Sequence, residues 1–123
     1  MKILFVDDDI DFSQNICETL INAGHIIEYC QNANVAINMI GNRQYDIYII
    51  DLMLPPTFED EGISLLEEIK RGKNQNKVIM ISQRSQNMTS IVDLAYQLGA
   101  RRFIDKADSS FAVTLQIIIK EII

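Results

Sequence analysis

The chain has 123 residues and a formal net charge of −6 at pH 7, so we expect one domain spanning residues 1–123. The acidic excess argues against direct binding of nucleic acid or of an anionic membrane surface, both of which favour lysine and arginine. No apolar run approaches the roughly 20 residues of a membrane span. Cys17 and Cys30 lie outside CxxC spacing, which disfavours a zinc module or disulfide scaffold and predicts a reducing cytoplasm.

Short apolar runs alternate with helical patterns along the whole chain. Strands are predicted at residues 3–6, 25–30, 46–51, 77–82 and 102–105, because continuous apolar runs are typical of strands buried on both faces. Apolar residues at helical spacing predict helices at 12–23, 35–40, 63–72, 88–98 and 111–122. The second of these helices is expected to stop at Gly41 and Asn42, and Ser109 or Ser110 is expected to cap the last.

This alternation predicts an α/β fold, a doubly wound sheet of five parallel strands flanked by five helices. A less regular α+β domain is the rival architecture. In an open parallel sheet, ligands bind beyond the carboxyl ends of the strands. The polar residues expected at that edge are Asp7, Asp8, Asp9, Asp51, Ser82 and Lys106.

The acidic residues at this edge indicate a cation site. Two carboxylates about 4 Å apart repel by about 4 kcal/mol at an effective dielectric near 20, so three together require a cation or a bound proton. Oxygen ligands favour Mg²⁺, and Lys106 can offset one further negative charge. Alternatively, residues 7–9 form a solvated turn at a helix N-terminus. Gly-rich phosphate loops are absent from the sequence.

Four segments in this order resemble the receiver domain of two-component response regulators, the CheY-like family with a flavodoxin-like fold. They are residues 3–9 with the acidic pair, 45–55 around Asp51, 78–82 with Ser82, and 98–106 with Lys106. The resemblance covers the whole chain. It implies a cytoplasmic phosphoacceptor signalling domain rather than an enzyme, with self-phosphorylation and self-dephosphorylation as its only chemistry.

The resemblance also implies roles for individual residues. Asp51 is expected to accept a phosphoryl group from a phosphohistidine on a sensor histidine kinase or phosphotransfer protein. Asp8, Asp51 and the Met53 carbonyl are expected to bind Mg²⁺ directly, with Asp7 acting through a metal-bound water. Asp9 is given no ligand role.

The remaining roles concern the phosphoryl oxygens and the response to them. Ser82 and Lys106 are each expected to bind a phosphoryl oxygen. Phe103 is expected to be the aromatic switch residue that moves inward when Ser82 closes on the phosphate. The conformational change would then control a partner or an attached output domain.

Three departures from the family pattern stand out. The loop at residues 55–62 is longer and more acidic than usual. Ala107 replaces the proline that usually follows the lysine, so this loop is expected to differ. Gln83 replaces a small residue after Ser82, and Arg84 follows it, which leads us to expect an altered phosphoryl lifetime.

Other functions stay open at this stage. A receiver-like module could bind partners without phosphorylation. A Mg²⁺-dependent phosphohydrolase commonly has a second acid two residues after its nucleophile, where this chain has Met53. A flavin carrier would need a phosphate-binding loop after the first strand. Val113 and Ile117 lie opposite the apolar face of the last helix, which suggests a homodimer or partner surface there.

Overall fold

The protein is described by a computed structural model that covers residues 1–55, 61–72, 77–83 and 89–122. Strands and helices alternate throughout, as predicted. The strands are β1 (Lys2–Val6), β2 (Ile26–Cys30), β3 (Ile47–Asp51), β4 (Val78–Ser82) and β5 (Arg102–Asp105). The helices are α1 (Ile10–Asn22), α2 (Ala33–Asn42), α3 (Glu61–Arg71), α4 (Thr89–Gln97) and α5 (Phe111–Ile122).

The five strands form one parallel sheet in the order β2-β1-β3-β4-β5. The chain therefore winds outward in one direction from β1 to β2 and in the other direction from β3 to β5. The point of reversal lies between β1 and β3, and ligands of doubly wound sheets bind beside this point. The predicted fold class is confirmed, and the α+β alternative is excluded for the described residues.

Two apolar cores cover the two faces of the sheet, because successive strand residues point to opposite sides. On β1, Leu4 and Val6 pack into the core beneath α2, α3 and α4. Ile3 and Phe5 pack into the other core, beneath α1 and α5. Burial on both faces explains why the central strands read as unbroken apolar runs.

Helix α2 begins earlier than predicted. It begins at Ala33 because the Asn32 side chain accepts the Val35 N–H at 2.9 Å as an N-cap. It includes Gly41 and ends at Asn42, which agrees with the predicted stop at Gly41 and Asn42. Nothing lies within 4 Å of a Cβ built on Gly41, and glycine inside an exposed helix costs only about 1 kcal/mol.

Glycines follow α1 and α4, and a serine precedes α5. Gly24 and Gly99 follow α1 and α4 with φ of 98° and 101°, the left-handed conformation that glycine adopts without strain. At the start of α5, the Ser110 carbonyl accepts the Thr114 N–H at 2.9 Å, which puts Ser110 in the N-cap position. No helix within the described ranges is both long and apolar enough to cross a bilayer.

Candidate functional site

The three consecutive acids after β1 have different surroundings. Asp7 is fully buried, and its Oδ1 accepts the Asp9 N–H at 2.9 Å. Asp8 is half-buried. Asp9 has extended backbone angles and caps α1, where its Oδ1 accepts the Phe12 N–H at 3.1 Å. The turn into α1 thus leaves Asp7 and Asp8 at the carboxyl edge and uses the Asp9 side chain to begin the helix.

Asp51 is the last residue of β3 and is only 5% exposed. Its Oδ1 accepts the Met53 N–H at 3.0 Å, so the chain turns sharply around this carboxylate as it leaves the sheet. The other oxygen, Oδ2, accepts a hydrogen bond from Lys106 Nζ at 3.1 Å. One oxygen therefore belongs to the local turn, and the other faces a cation 55 residues away in sequence.

Lys106 joins two buried carboxylates. Its Nζ lies 2.8 Å from Asp7 Oδ2 and 3.1 Å from Asp51 Oδ2. The contact with Asp7 is close enough for an ion pair but is not aligned as a hydrogen bond. This buried oxygen therefore accepts no hydrogen bond. The ammonium also lies 4.7 Å from the centre of the Phe12 ring. Both the carboxylates and the ring face attract the positive charge.

Carboxylate oxygens of Asp7, Asp8 and Asp51 lie within 4.8 Å of one another. Three carboxylates against the single ammonium of Lys106 leave two negative charges unmatched. This oxygen-only donor set, with a buried Asp7 oxygen that accepts no hydrogen bond, suits a hard divalent cation such as Mg²⁺.

The titration of the buried groups reflects this imbalance. Burial raises the pKa of Asp51 to about 7. The hydrogen bond from the Met53 N–H acts to lower this pKa, and the negative charge of Asp7 acts to raise it. Burial likewise raises the pKa of Asp7, although Lys106 opposes the shift. Burial acts to lower the pKa of Lys106, but the two carboxylates outweigh burial and the pKa is raised overall. The cluster therefore stabilises added positive charge.

Ser82 and Phe103 lie along the neighbouring strands. Ser82 ends β4 and is 2% exposed; since Asp51 is paired with Ile81, Ser82 lies one residue further towards the carboxyl edge. Phe103 is half-buried on β5 and packs against the core beneath α2, α3 and α4. Its N–H donates to the Tyr96 hydroxyl of α4 at 2.9 Å, a contact that the sequence did not reveal.

Further residues at the site escaped sequence reasoning. Phe12 was recognised only as an apolar residue of the first predicted helix, yet its ring lies beside the Lys106 ammonium. Tyr29 donates its hydroxyl hydrogen to the Asp7 carbonyl at 2.6 Å from the adjacent strand β2. Neither contact has a local sequence signal, because each depends on how separate elements pack.

Gly62 was also missed as a site residue, although a glycine beside the acidic loop could have indicated it. Its N–H donates to the Leu52 carbonyl at 2.9 Å. A Cβ there would lie 2.5 Å from the Asp51 carbonyl oxygen and 2.6 Å from Leu52 Cα. Only glycine lets α3 begin this close to the backbone of the acidic turn.

Each departure noted in the sequence has a different outcome. Ala107 supplies an N–H that proline lacks, and this N–H donates to Asp105 Oδ1 at 2.9 Å. Gln83 is exposed. Arg84 and the loop residues 56–60 lie outside the described residues, so the expected change in phosphoryl lifetime stays a prediction.

The side chains of the single histidine and the two cysteines are not members of the acidic cluster. His25 Nδ1 is 3.5 Å from the amino group of Met1, at the opposite end of the strands from the acidic cluster. Cys17 is half-buried, Cys30 is buried, and both are free thiols. Burial raises the pKa of each thiol to about 11, which leaves them protonated near neutral pH.

Known proteins show the same architecture. The chain is 32% identical over 106 residues to the chemotaxis protein CheY of Bacillus subtilis, a match that covers 85% of this chain and 84% of that protein. The solved receiver domain of the Francisella response regulator 1452 has a TM-score of 0.78 and 28% identity, over 98% of this chain and 94% of that one.

Other relatives are longer proteins. The transcriptional regulatory protein PmrA of Pectobacterium parmentieri is 30% identical over 84 residues, which are 68% of this chain but 36% of that protein. The chain thus spans less than half the length of several curated relatives that it matches. The family model that describes the response regulator receiver domain matches residues 3–115. Because this match extends over most of the chain, from within β1 to within α5, and includes the whole acidic edge, the chain belongs to the response regulator receiver domain family.

Proposed function

We propose that Asp51 accepts a phosphoryl group from a phosphohistidine of a sensor histidine kinase or a phosphotransfer protein. The observation that carries the proposal is the buried Asp51 carboxylate, 3.1 Å from the Lys106 ammonium and clustered with Asp7 and Asp8. Asp7 shares this burial and the same lysine partner, so the choice of Asp51 between the two rests on its place in the segment 45–55 that resembles the family's phosphoacceptor segment. Phosphorylation-dependent signalling is the expected role of the family, and the proposal names the Asp51 carboxylate as the group that is phosphorylated in this chain.

The proposed reaction is an in-line displacement at phosphorus. An oxygen of Asp51 forms the new O–P bond while the P–N bond to the donor imidazole breaks. The electron pair of that bond leaves with the ring nitrogen, which ends as neutral imidazole after taking a proton, and Asp51 becomes an acyl phosphate. A carboxylate is a weak nucleophile, so positioning and charge stabilisation supply the rate enhancement. Lys106 would pair with a phosphoryl oxygen, and the buried Ser82 hydroxyl would donate to another.

Mg²⁺ fits the acidic side of the site. We assign Asp8, Asp51 and the carbonyl of Met53 as its direct ligands, and Asp7 as a ligand through water. When bound, the ion supplies positive charge that offsets the carboxylates and the incoming phosphoryl oxygens. The two unmatched negative charges and the raised pKa of Asp51 support this assignment.

The added phosphoryl charge of about −1.5 to −2 gives the switch its driving force. Ser82 would follow the phosphoryl oxygen, and Phe103 would move inward behind it. The Tyr96 hydroxyl bound to the Phe103 N–H offers a path by which this movement reaches α4. Such a change requires two arrangements of these loops that are close in free energy.

Several assignments concern the setting of the domain. We propose a cytoplasmic location, which the two free cysteines favour. Control of a partner or of an attached output domain fits the longer relatives. A homodimer through α5 stays a prediction; it rests on Val113 and Ile117, which are 62% and 54% exposed one helical turn apart. Sedimentation that shows only monomer with and without a phosphoryl mimic would contradict it.

The test is uptake of one phosphoryl group. The protein is incubated with acetyl phosphate and Mg²⁺, and the intact mass is measured for wild type, Asp51→Asn and Asp9→Asn. We expect wild type and Asp9→Asn to gain one phosphoryl group and Asp51→Asn to gain none. Asp9→Asn is a matched control, because it removes a neighbouring carboxylate charge while asparagine still caps α1.

Other outcomes would separate the alternatives. Uptake by Asp51→Asn at the wild-type level would exclude Asp51 as the acceptor. If wild type takes up no phosphoryl group but still binds a purified histidine kinase, a module that works without phosphorylation would be favoured. Rapid release of phosphate from many substrates would favour a phosphohydrolase.

A further inference from the structure

The loop that carries Lys106 out of β5 is held by three local hydrogen bonds. The Lys106 N–H donates to the Ser82 carbonyl at 3.0 Å. The Ala107 N–H donates to Asp105 Oδ1 at 2.9 Å. The Asp108 N–H donates to the Asp105 carbonyl at 3.1 Å. Asp105, the residue before the lysine, thus accepts hydrogen bonds from both residues that follow the lysine, Ala107 and Asp108.

A bond from a carboxylate to the N–H two residues later is an Asx-turn, which fixes the direction of the backbone between the two residues. Here the residue between them is Lys106. Its own N–H is bound to β4, and the next N–H is bound to the Asp105 side chain. The lysine backbone is therefore held on both sides, at a position where Ala107 leaves an N–H free to donate.

The direction of this backbone matters because the lysine ammonium must reach a position between the Asp7 and Asp51 carboxylates. Its Nζ lies 2.8 Å from Asp7 Oδ2, 3.1 Å from Asp51 Oδ2 and 4.7 Å from the Phe12 ring centre. A free lysine side chain has many rotamers, and it loses entropy when one of them is fixed. A backbone already pointing at the target lowers the remaining disorder in the ammonium position.

We propose that Asp105 is a positioning residue for phosphoryl transfer: its carboxylate oxygen holds the Ala107 N–H and thereby aims the Lys106 ammonium at Asp51. This inference rests on the proposed function, since it concerns the same reaction. Asp105 acts through a hydrogen bond to the backbone, so its role needs an acceptor oxygen and does not need its negative charge.

The test uses variants that alter each half of the turn. Asp105→Ala removes the acceptor, Ala107→Pro removes the donor, and Asp105→Asn keeps an acceptor oxygen without the charge. Asp108→Ala is the matched control. Its carboxylate accepts the Ser110 N–H at 2.8 Å in the same loop, so this variant weakens the start of α5 without touching the turn around Lys106.

Two measurements follow the lysine without any phosphorylation. One is the hydrogen-exchange protection of the Ala107 amide, and the other is the nuclear Overhauser contact between the Lys106 ε-methylene and the Phe12 ring. We expect both to be lost in Asp105→Ala and retained in Asp105→Asn and Asp108→Ala. In Ala107→Pro, which has no amide to measure, the contact with the Phe12 ring is expected to be lost.

A third measurement connects the turn to the reaction. The rate of uptake from acetyl phosphate is measured against acetyl phosphate concentration. We expect the maximal rate to fall about tenfold in Asp105→Ala and Ala107→Pro, since a misplacement near 1 Å can cost about 100-fold. Asp105→Asn should stay within about twofold of wild type, as should Asp108→Ala, and the double variant Asp105→Ala/Ala107→Pro should be no slower than either single one.

Three outcomes would overturn the inference. Asp105→Asn as impaired as Asp105→Ala would assign the effect to charge. Asp108→Ala as impaired as Asp105→Ala would reduce the effect to general loosening of the loop. An unchanged contact between Lys106 and Phe12 in Asp105→Ala would exclude positioning. If wild type takes up no phosphoryl group, the proposed function fails, and the exchange and Overhauser measurements still decide whether Asp105 positions Lys106.

Discussion

Two carboxylates on the strands that flank β1 each accept a hydrogen bond from a cationic side chain, yet their pKa values shift in opposite directions. Asp51 is buried at the carboxyl edge beside Lys106, 3.1 Å away. Glu28 lies near the surface on β2, where it accepts from Arg43 Nη1 and from the Tyr45 hydroxyl, both at 2.6 Å. The hydrogen bonds of Glu28 are the shorter ones.

The difference lies in the surroundings of each pair rather than in the contact. The hydrogen bond from Arg43 lowers the pKa of Glu28, because water still reaches this carboxylate. Burial raises the pKa of Asp51 to about 7, and the negative charge of Asp7 adds to that rise. A cation therefore suffices to stabilise one exposed acid, whereas one lysine shared by buried acids leaves them short of positive charge.

The largest expected effect comes from removing the shared cation. Lys106→Met leaves Asp7 and Asp51 buried without a partner, and we expect a loss of about 3–5 kcal/mol in the free energy of unfolding. Urea unfolding at pH 8 with a metal chelator measures this loss. Arg43→Met removes the cation of the exposed pair and should cost much less. Equal losses in the two variants would mean that the buried pair is no more dependent on its cation than the surface pair.

The pH dependence of stability should differ in sign between the two carboxylates. Folded Asp51 holds its proton more tightly than the unfolded chain, since its pKa rises from 3.8 to about 7. Its contribution is therefore present at low pH and is lost as the pH rises towards 7, with a slope of at most about 1.4 kcal/mol per pH unit. Asp51→Asn should remove this slope and be more stable than wild type above pH 7 without divalent ions.

Glu28 supplies the opposite case. Its pKa is lowered by Arg43, so its contribution is present above its unfolded pKa and is lost as the pH falls. Glu28→Gln should therefore be less stable than wild type at neutral pH, and the difference should shrink in acid. Thermal unfolding of both variants from about pH 2 to pH 8 checks the two signs, because the loss for Glu28 occurs below its unfolded pKa of 4.5. A wild-type curve parallel to that of Asp51→Asn would contradict the prediction for the buried acid.

The smallest expected effects come from removing two tyrosine hydroxyls, one bound to the backbone of Asp7 and the other to the Glu28 carboxylate. Tyr29 donates to the Asp7 carbonyl, and Tyr45 donates to Glu28, both at 2.6 Å. We expect each Tyr→Phe variant to lose about 1 kcal/mol. Only Tyr29→Phe should also weaken Mg²⁺ binding, measured by calorimetric titration, because Tyr29 holds the backbone of the acidic turn. An equal change in Mg²⁺ affinity for Tyr45→Phe would rule out this local effect.

The sequence predicted the main members of the site because parallel strands bring their carboxyl ends together. Asp7 and Lys106 each follow a strand and Asp51 ends one, and their contact needs only the sheet order and register. Phe12 and Tyr29 were not predicted, because their contacts depend on how α1 and β2 pack around β1. The start of α2 was predicted at Val35 rather than Ala33, because the cap that the Asn32 side chain provides was not recognised.

The sequence by itself determined the alternation of elements, the two-sided burial of the sheet and the edge at which polar residues collect, since these follow from apolar periodicity and chain direction. Only the tertiary structure decided which oxygen faces which partner. Asp9 caps a helix while Asp7 lies beside a lysine, and Asp105 turns back to hold the Ala107 N–H. Such choices depend on side-chain rotation and on desolvation, both of which are set by residues far apart in the chain.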